Sequence, residues 1–106
     1  SGGMKQKVAL VRALTIEPEL ILLDEPFGAL DIYSREKLQE ETLKIWKETN
    51  KTMIFVTHNI DEALKMGQKI ILLSGRPSKI IKKFTDLSKK DEIKKELKSV
   101  IYKYEK

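Results

Sequence analysis

Three short apolar runs, separated by segments with helical periodicity, constrain the fold of this chain more than any other feature. The runs are Leu20–Leu23, Met53–Val56 and Ile70–Leu73. A short continuous apolar run bounded by turn residues is typical of a strand that is buried on both faces of a sheet. Strands that alternate with helices indicate crossover connections, so the pattern predicts an α/β fold built on a parallel sheet.

Helices are predicted beside these strands, because residues that favour helix starts precede apolar residues at helical spacing. The predicted helices cover Ser1–Leu14, Asp31 to about Asn50, and Asn59–Met66. The first of them contains Val8–Val11, a run that is apolar on nearly every side. We therefore expect much of that helix to be buried.

The C-terminal part predicts a β-hairpin followed by a helix. A turn over 75–78 separates the third apolar run from a strand over Lys79–Phe84. Ser88 and Asp91 form the expected cap of a last helix. The apolar stripe of that helix consists of Ile93, Leu97, Val100, Ile101 and Tyr104. We expect one α/β unit over 1–84 and a terminal helix over 85–106.

Length and composition exclude several classes of protein. The chain has 106 residues, enough for one small domain. It has no cysteine and one histidine, which excludes disulfide frameworks, thiolate zinc sites, cysteine nucleophiles and multi-histidine metal sites. No apolar run approaches the roughly 20 residues that cross a bilayer, and no signal peptide opens the chain. These features favour a cytoplasmic setting.

The net charge of +5 is unevenly distributed. Residues 1–68 carry nine Lys and Arg against eleven Asp and Glu, whereas residues 69–106 carry twelve against five. The basic end leaves open a nucleic-acid-binding module or an amphipathic helix on an anionic membrane. Aromatic residues for base stacking are sparse in this segment. We therefore favour an ordinary solvent-facing helix surface and expect no nucleic-acid partner.

Two adjacent carboxylates, Asp24 and Glu25, follow the first apolar run directly. Ligands of parallel sheets bind beyond the carboxyl ends of the strands, so these side chains are placed for chemistry. An aspartate can hold Mg²⁺ directly or through water, and the next carboxylate can polarise an attacking water. The alternative is that both residues simply begin a polar loop.

Three further positions are candidates with ordinary structural alternatives. His58 follows the second apolar run, where it can reach a phosphate or serve as a structural hydrogen-bonding group. Asp31 can be a helix N-cap. Ser1-Gly2-Gly3 opens a helix, where free N–H groups favour phosphate. The alternatives are an ordinary helix cap or residues left over from expression.

Four segments resemble, in the same order, the motifs of ABC transporter ATPases. Ser1–Leu14 resembles the signature motif and its helix, and Leu20–Pro26 the Walker B strand with its catalytic glutamate. Gly28–Asp31 is similar to the D-loop, and Val56–His58 to the switch-histidine segment. The resemblance runs from Ser1 to about Ile81 and implies part of a P-loop NTPase-type parallel sheet.

The resemblance also implies a role for each matching residue. Glu25 would be the general base, His58 would sense the γ-phosphate of ATP, and Asp24 would help to hold Mg²⁺. Asp31 would act across a dimer interface. The signature residues would contact the γ-phosphate of ATP bound to the partner subunit: Ser1, Gly2 and Gly3, with Met4 in the same motif. The partners would be a second ATPase subunit and transmembrane permease subunits, with the protein on the inner face of the membrane.

Two departures refine this interpretation. Met4 stands where many members have Gln, and with Ile60–Leu64 and Leu73–Pro77 it resembles importers of nitrate, taurine and aliphatic sulfonates. A phosphate-binding loop requires a Gly-Lys step, and none of the five glycines precedes Lys. We therefore expect a C-terminal fragment of an ATPase subunit that is inactive alone.

Overall fold

A computed structural model describes residues 2–15, 19–75 and 78–105 as a mixed α/β structure, which confirms the predicted fold class. The chain forms two compact units that meet in sequence between Thr57 and His58. The predicted division at residue 85 stays a prediction. In chain order the elements are α1 (Gly2–Thr15), β1 (Leu20–Asp24), α2 (Ile32–Thr49), β2 (Thr52–Val56), α3 (Ile60–Met66), β3 (Ile70–Leu73), β4 (Ile80–Phe84) and α4 (Lys90–Glu105).

The first unit is built on a parallel pair of strands. β1 and β2 pair in register from Leu20 opposite Thr52 to Asp24 opposite Val56. Parallel strands need a long crossover, and α2 supplies it. The predicted parallel sheet is therefore confirmed for β1 and β2. The third apolar run is not part of this sheet, because β3 pairs instead with β4.

One face of this sheet is open in the described structure, so the expectation of strands buried on both faces is wrong. Ile21 is buried, whereas Leu22 is 66% exposed. Ile54, the register partner of Leu22, is exposed as well. Side chains alternate between the faces of a strand, and only one face is covered in the described part of the first unit.

α2 is closed by a capping residue at each end. Asp31 is the N-cap, and Asn50 is the C-cap in a left-handed conformation with φ 55°. The Asn50 N–H donates to the Trp46 carbonyl at 2.8 Å. Leu38 and Thr42 of this helix are buried.

α1 is much less buried than its sequence indicated. Leu10 is buried, but Val8 and Val11 are about half exposed. α1 packs against α2, and Lys7 Nζ lies 3.3 Å from Glu41 Oε2. A helix that contacts one neighbour buries one face, so the expectation for Val8–Val11 is wrong on this point.

The second unit contains the predicted hairpin. β3 and β4 are antiparallel, with Ile70 opposite Phe84 and a register irregularity between Leu72 and Leu73. α3 is capped by Asn59, whose side chain accepts the Glu62 N–H at 3.0 Å. Buried residues from α3, both strands and α4 form one core: Leu64, Ile70, Phe84, Ile93 and Leu97.

α4 carries the predicted stripe but begins later than predicted. Ile93 and Leu97 are buried, while the side chain of Tyr104 lies outside the described residues. The expected cap by Ser88 is wrong, because the helix begins at Lys90 and the Ser88 N–H donates to Asp86 Oδ1 at 3.0 Å. None of the helices in the described ranges is long and apolar enough to span a membrane.

Two leucines of the second unit provide a matched test of its core. Leu97 is 2% exposed and Leu73 is 55% exposed. We expect Leu97→Ala to lower the free energy of unfolding by about 2–5 kcal/mol, because it leaves a cavity. Leu73→Ala should change it by less than about 1 kcal/mol. Urea unfolding measures both values, and equal losses would contradict this core.

Candidate functional site

Asp24 and Glu25 are held at the carboxyl end of the parallel strand pair. Asp24 is the last residue of β1, is exposed, and lies opposite Val56. The Glu25 N–H donates to the Val56 carbonyl at 2.8 Å, which extends the ladder by one bond beyond β1. The two carboxylates therefore begin where the sheet ends, on backbone that is hydrogen-bonded to β2.

Glu25 has a left-handed backbone conformation with φ 47°. A glutamate rarely adopts this conformation, so neighbouring contacts must hold it. Its N–H is bonded to β2, and its carbonyl accepts the Gly28 N–H at 3.3 Å. The chain consequently turns sharply away from the strand direction immediately after Asp24, at the half-buried Glu25.

The loop after Glu25 is anchored by aromatic packing. Phe27 is 1% exposed, and its ring centroid lies 5.3 Å from that of Phe55 on β2, with a 40° angle between the planes. Leu30 is also buried, and its N–H donates to the Phe27 carbonyl at 3.2 Å. The buried Phe27 ring thus ties this loop to the sheet that carries the carboxylates.

Arg35, which sequence reasoning missed, holds the same loop from α2. Its Nε donates to the Phe27 carbonyl at 3.2 Å. Its Nη2 lies 3.4 Å from the Gly28 carbonyl and 3.5 Å from the Leu30 carbonyl. The residues that resemble the D-loop are therefore bound through their backbone. No local sequence pattern identifies such a contact, because it depends on the path of the loop.

Asp31 is an N-cap, which confirms the structural alternative considered for it. Its Oδ1 accepts the Ser34 N–H at 2.8 Å and its Oδ2 accepts the Ser34 hydroxyl at 3.0 Å. The Ser34 backbone N–H, followed by the Ser34 hydroxyl, lowers the pKa of Asp31 because both bonds favour the carboxylate. The capping role is compatible with the predicted action of Asp31 across a dimer interface, which stays a prediction.

The remaining predicted residues are distributed between the two units. Gly2 and Gly3 begin α1, while Ser1 lies outside the described residues. Met4 is 70% exposed. His58 is exposed and is the first residue of the second unit, so its proximity to Asp24 and Glu25 stays a prediction. A surface depression of about 360 Å³ runs along α1, lined by Met4, Lys5, Val8, Ala9 and Arg12.

The donor set at the strand end fits a magnesium ion better than a metal that needs several protein ligands. Within 2–15, 19–75 and 78–105, no group of three or more His, Asp and Glu side chains is placed to hold a metal. Mg²⁺ is usually held by one or two carboxylates together with water and substrate phosphates. The exposed carboxylate of Asp24 suits that kind of coordination.

Some lysines of the basic C-terminal part are matched by carboxylates. Lys94 Nζ lies 2.7 Å from Asp61 Oδ1, and Lys82 Nζ lies 2.6 Å from Glu96 Oε1. The hydrogen bond from Lys94, together with its charge, lowers the pKa of Asp61. These pairs join α3 to α4 and β4 to α4, so part of the positive charge serves contacts inside the second unit.

Comparison with known proteins relates this chain to one family. The family model for ABC transporters matches residues 1–28. The taurine import ATP-binding protein TauB of Roseobacter denitrificans is 52% identical over 84 residues, which cover 79% of this chain and 31% of the relative. The predicted resemblance to the ABC transporter family is thus confirmed.

Other relatives carry related names. The aliphatic sulfonates import ATP-binding protein SsuB of Bacillus cereus is 55% identical over 82 residues, covering 77% of this chain and 33% of the relative. The nitrate import ATP-binding protein NrtD of Synechococcus elongatus is 52% identical over 81 residues, covering 76% and 30%. The chain spans about a third of the length of the curated relatives that it matches.

The cap at Asp31 predicts a pH-dependent contribution to stability. A lowered pKa in the folded state means that this contribution is complete above the ordinary pKa of 3.8 and is lost as pH falls through the lowered value. We expect the urea midpoint of Asp31→Asn to lie below that of the unsubstituted chain near neutral pH. The difference should close in acid below pH 3.8.

Ser34→Ala is the matched control for the cap. It removes the hydroxyl donor but keeps the backbone N–H, which is the larger cause of the pKa shift. It should therefore retain most of the pH dependence that Asp31→Asn loses. A difference between Asp31→Asn and the unsubstituted chain that stays constant into acid would contradict the assigned hydrogen bonds.

Proposed function

We propose that this chain is part of the ATP-binding and ATP-hydrolysing subunit of an ABC importer. The observation that carries the proposal is the pair Asp24–Glu25, fixed at the end of a parallel strand pair in a chain that resembles the ABC transporter family. Carboxylates at such strand ends face the crevice in which α/β sheets bind ligands. The names of the relatives support an import ATPase.

Each residue at the strand ends has a proposed task in hydrolysis. Asp24 holds Mg²⁺, directly or through water, and the ion supplies charge neutralisation for the phosphates of ATP. Glu25, the next carboxylate along the chain, accepts the proton of the attacking water. His58 donates a hydrogen bond to the γ-phosphate from the segment that follows β2.

The second group of proposed tasks acts on a partner subunit. The signature residues Ser1, Gly2, Gly3 and Met4 contact the γ-phosphate of ATP bound to a second copy, and Gly2, Gly3 and Met4 lie at the start of α1. Unpaired N–H groups and the helix dipole at a helix start favour phosphate. The high exposure of Met4 supports an outward-facing role for this end. Asp31 contacts the same partner from the loop before α2.

The proposal extends to location and transport. Two such subunits dimerise on the inner face of the cell membrane and drive transmembrane permease subunits. The relatives are named for import of taurine, aliphatic sulfonates and nitrate. Similar ATP-binding chains thus carry the names of different solutes, and we assign the choice of solute to other subunits.

The 106-residue chain alone should not hydrolyse ATP. None of its five glycines precedes a lysine, so it contains no loop of the kind that cradles the β- and γ-phosphates. Phosphate release by the purified chain in the presence of ATP and Mg²⁺ measures this hydrolysis. The same reaction without Mg²⁺ gives the background. Hydrolysis above that background that is lost in Glu25→Gln would contradict this prediction. It would show that the 106-residue chain itself holds the β- and γ-phosphates.

Glu25→Gln in the full-length protein that carries these residues should preserve ATP binding and nearly abolish hydrolysis. Glutamine keeps the shape of the side chain but cannot accept the proton, so kcat should fall by about 100-fold or more. Glu36→Gln is the matched control, because Glu36 is an exposed residue of α2. Unchanged hydrolysis by Glu25→Gln would remove Glu25 from its role as the base.

A further inference from the structure

The loop over residues 25–31 joins Glu25 and Asp31, the two carboxylates proposed to act on the two sides of a subunit interface. We propose that Arg35 is a positioning residue for ATP hydrolysis, which sets the geometry of this loop and through it of both carboxylates. The inference rests on the proposed function. It concerns a residue that touches neither ATP nor water in that proposal and acts only through the loop.

The contacts of Arg35 cover most of the loop. The guanidinium donates to the carbonyls of Phe27, Gly28 and Leu30 at 3.2, 3.4 and 3.5 Å. These three carbonyls belong to a stretch of four residues, so one planar group orients almost every peptide unit in it. On the other side the stretch is fixed by the buried ring of Phe27, packed on Phe55. The turn is thus held from two directions.

The same arginine is connected to both ends of the loop. Its own N–H donates to the Asp31 carbonyl at 2.9 Å, so its backbone is part of the first turn that Asp31 caps. At the other end, the Gly28 N–H donates to the Glu25 carbonyl at 3.3 Å. A shift of the Gly28 peptide therefore changes the support of Glu25, whose left-handed backbone needs such support.

A lysine cannot reproduce this arrangement. Guanidinium is planar and presents the N–H groups of several nitrogens in fixed directions, whereas the three donors of an ammonium radiate from one nitrogen on a flexible stem. At residue 35 a lysine therefore cannot reproduce the separate positions of Nε and Nη2 that face the three carbonyls. The geometry therefore requires the shape of arginine as well as its charge, and this separates positioning from a general electrostatic effect.

The expected consequence is a loss in kcat with little change in KM for ATP. A displacement of a catalytic group by about 1 Å costs about 100-fold in rate. Binding of ATP depends on the phosphate-binding loop that the proposed function assigns to other residues, whereas the guanidinium of Arg35 donates to carbonyls of the 27–30 stretch. A purely structural role would instead lower the active fraction of the protein and leave kcat per folded molecule unchanged.

The test uses the full-length protein that carries these residues, with Arg35→Ala, Arg35→Lys and the control Lys37→Ala. Lys37 is an exposed cation two residues further along α2. Hydrolysis is measured against ATP concentration, and hydrogen exchange is followed in peptides spanning 25–31 and β1–β2. We expect kcat to fall about 30- to 100-fold for Arg35→Ala and more than about 10-fold for Arg35→Lys, with KM within about twofold.

Hydrogen exchange supplies the readout that does not depend on activity. Both Arg35 variants should exchange faster over 25–31, while β1 and β2 retain their protection and show that the fold is intact. Lys37→Ala should match the unsubstituted protein in both measurements. Unchanged kcat with intact strands would overturn the inference, as would full activity of Arg35→Lys. Loss of protection across β1 and β2 would assign Arg35 to the fold instead, and would overturn it too.

Glu25→Gln in the same series separates the two proposals. If Glu25→Gln abolishes hydrolysis and Arg35→Ala leaves it unchanged, the inference fails and the proposed function stands. If Glu25→Gln retains hydrolysis, the proposed function fails, whatever Arg35→Ala does.

Discussion

The parallel pairing of β1 with β2 is the constraint on which the first unit depends. Its register places Asp24 opposite Val56, and one further bond from the Glu25 N–H to the Val56 carbonyl fixes the start of the next loop. Parallel neighbours must be joined by a crossover, and α2 supplies it. The positions of Asp24 and Glu25 thus derive from one set of backbone hydrogen bonds.

The loop between β1 and α2 is held by buried side chains and by hydrogen bonds from α2. Phe27 and Leu30 are buried, and Arg35 binds three of its carbonyls. Such support is needed because Glu25 occupies a backbone conformation that is unfavourable for a residue with a Cβ atom. The strained backbone of the proposed base is thus held in place by contacts from β2 and α2.

The second unit relates the charge of the chain to its packing. Its core is apolar, and two of its lysines form ion pairs with acidic residues, Lys94 with Asp61 and Lys82 with Glu96. Part of the positive charge of the C-terminal part therefore also connects α4 to α3 and β4. Exposed ion pairs of this kind contribute little to stability, so the apolar core of the unit is the main source of its order.

Local chemistry allowed much of the architecture to be predicted. The caps at Asp31 and Asn59, the parallel pair, the hairpin and the buried stripe of α4 all follow from residue types at short spacing, because capping and amphipathic periodicity act within a few residues. The same local logic failed for Ser88, since Asp86 competes for its N–H. Asp24 and Glu25 were identified for the same reason, as two carboxylates that end an apolar strand.

The sequence by itself determined which segments are helices and strands, and which carboxylates end the first strand. Only the tertiary structure decided which faces of the helices and strands are covered. It also decided the left-handed backbone of Glu25 and the hydrogen bonds from Arg35 to the loop. Apolar residues show that a side chain favours burial, but the element that covers it is set by packing between distant segments. The contacts of Arg35 likewise exist only once β1, β2 and α2 have brought the loop and the helix together.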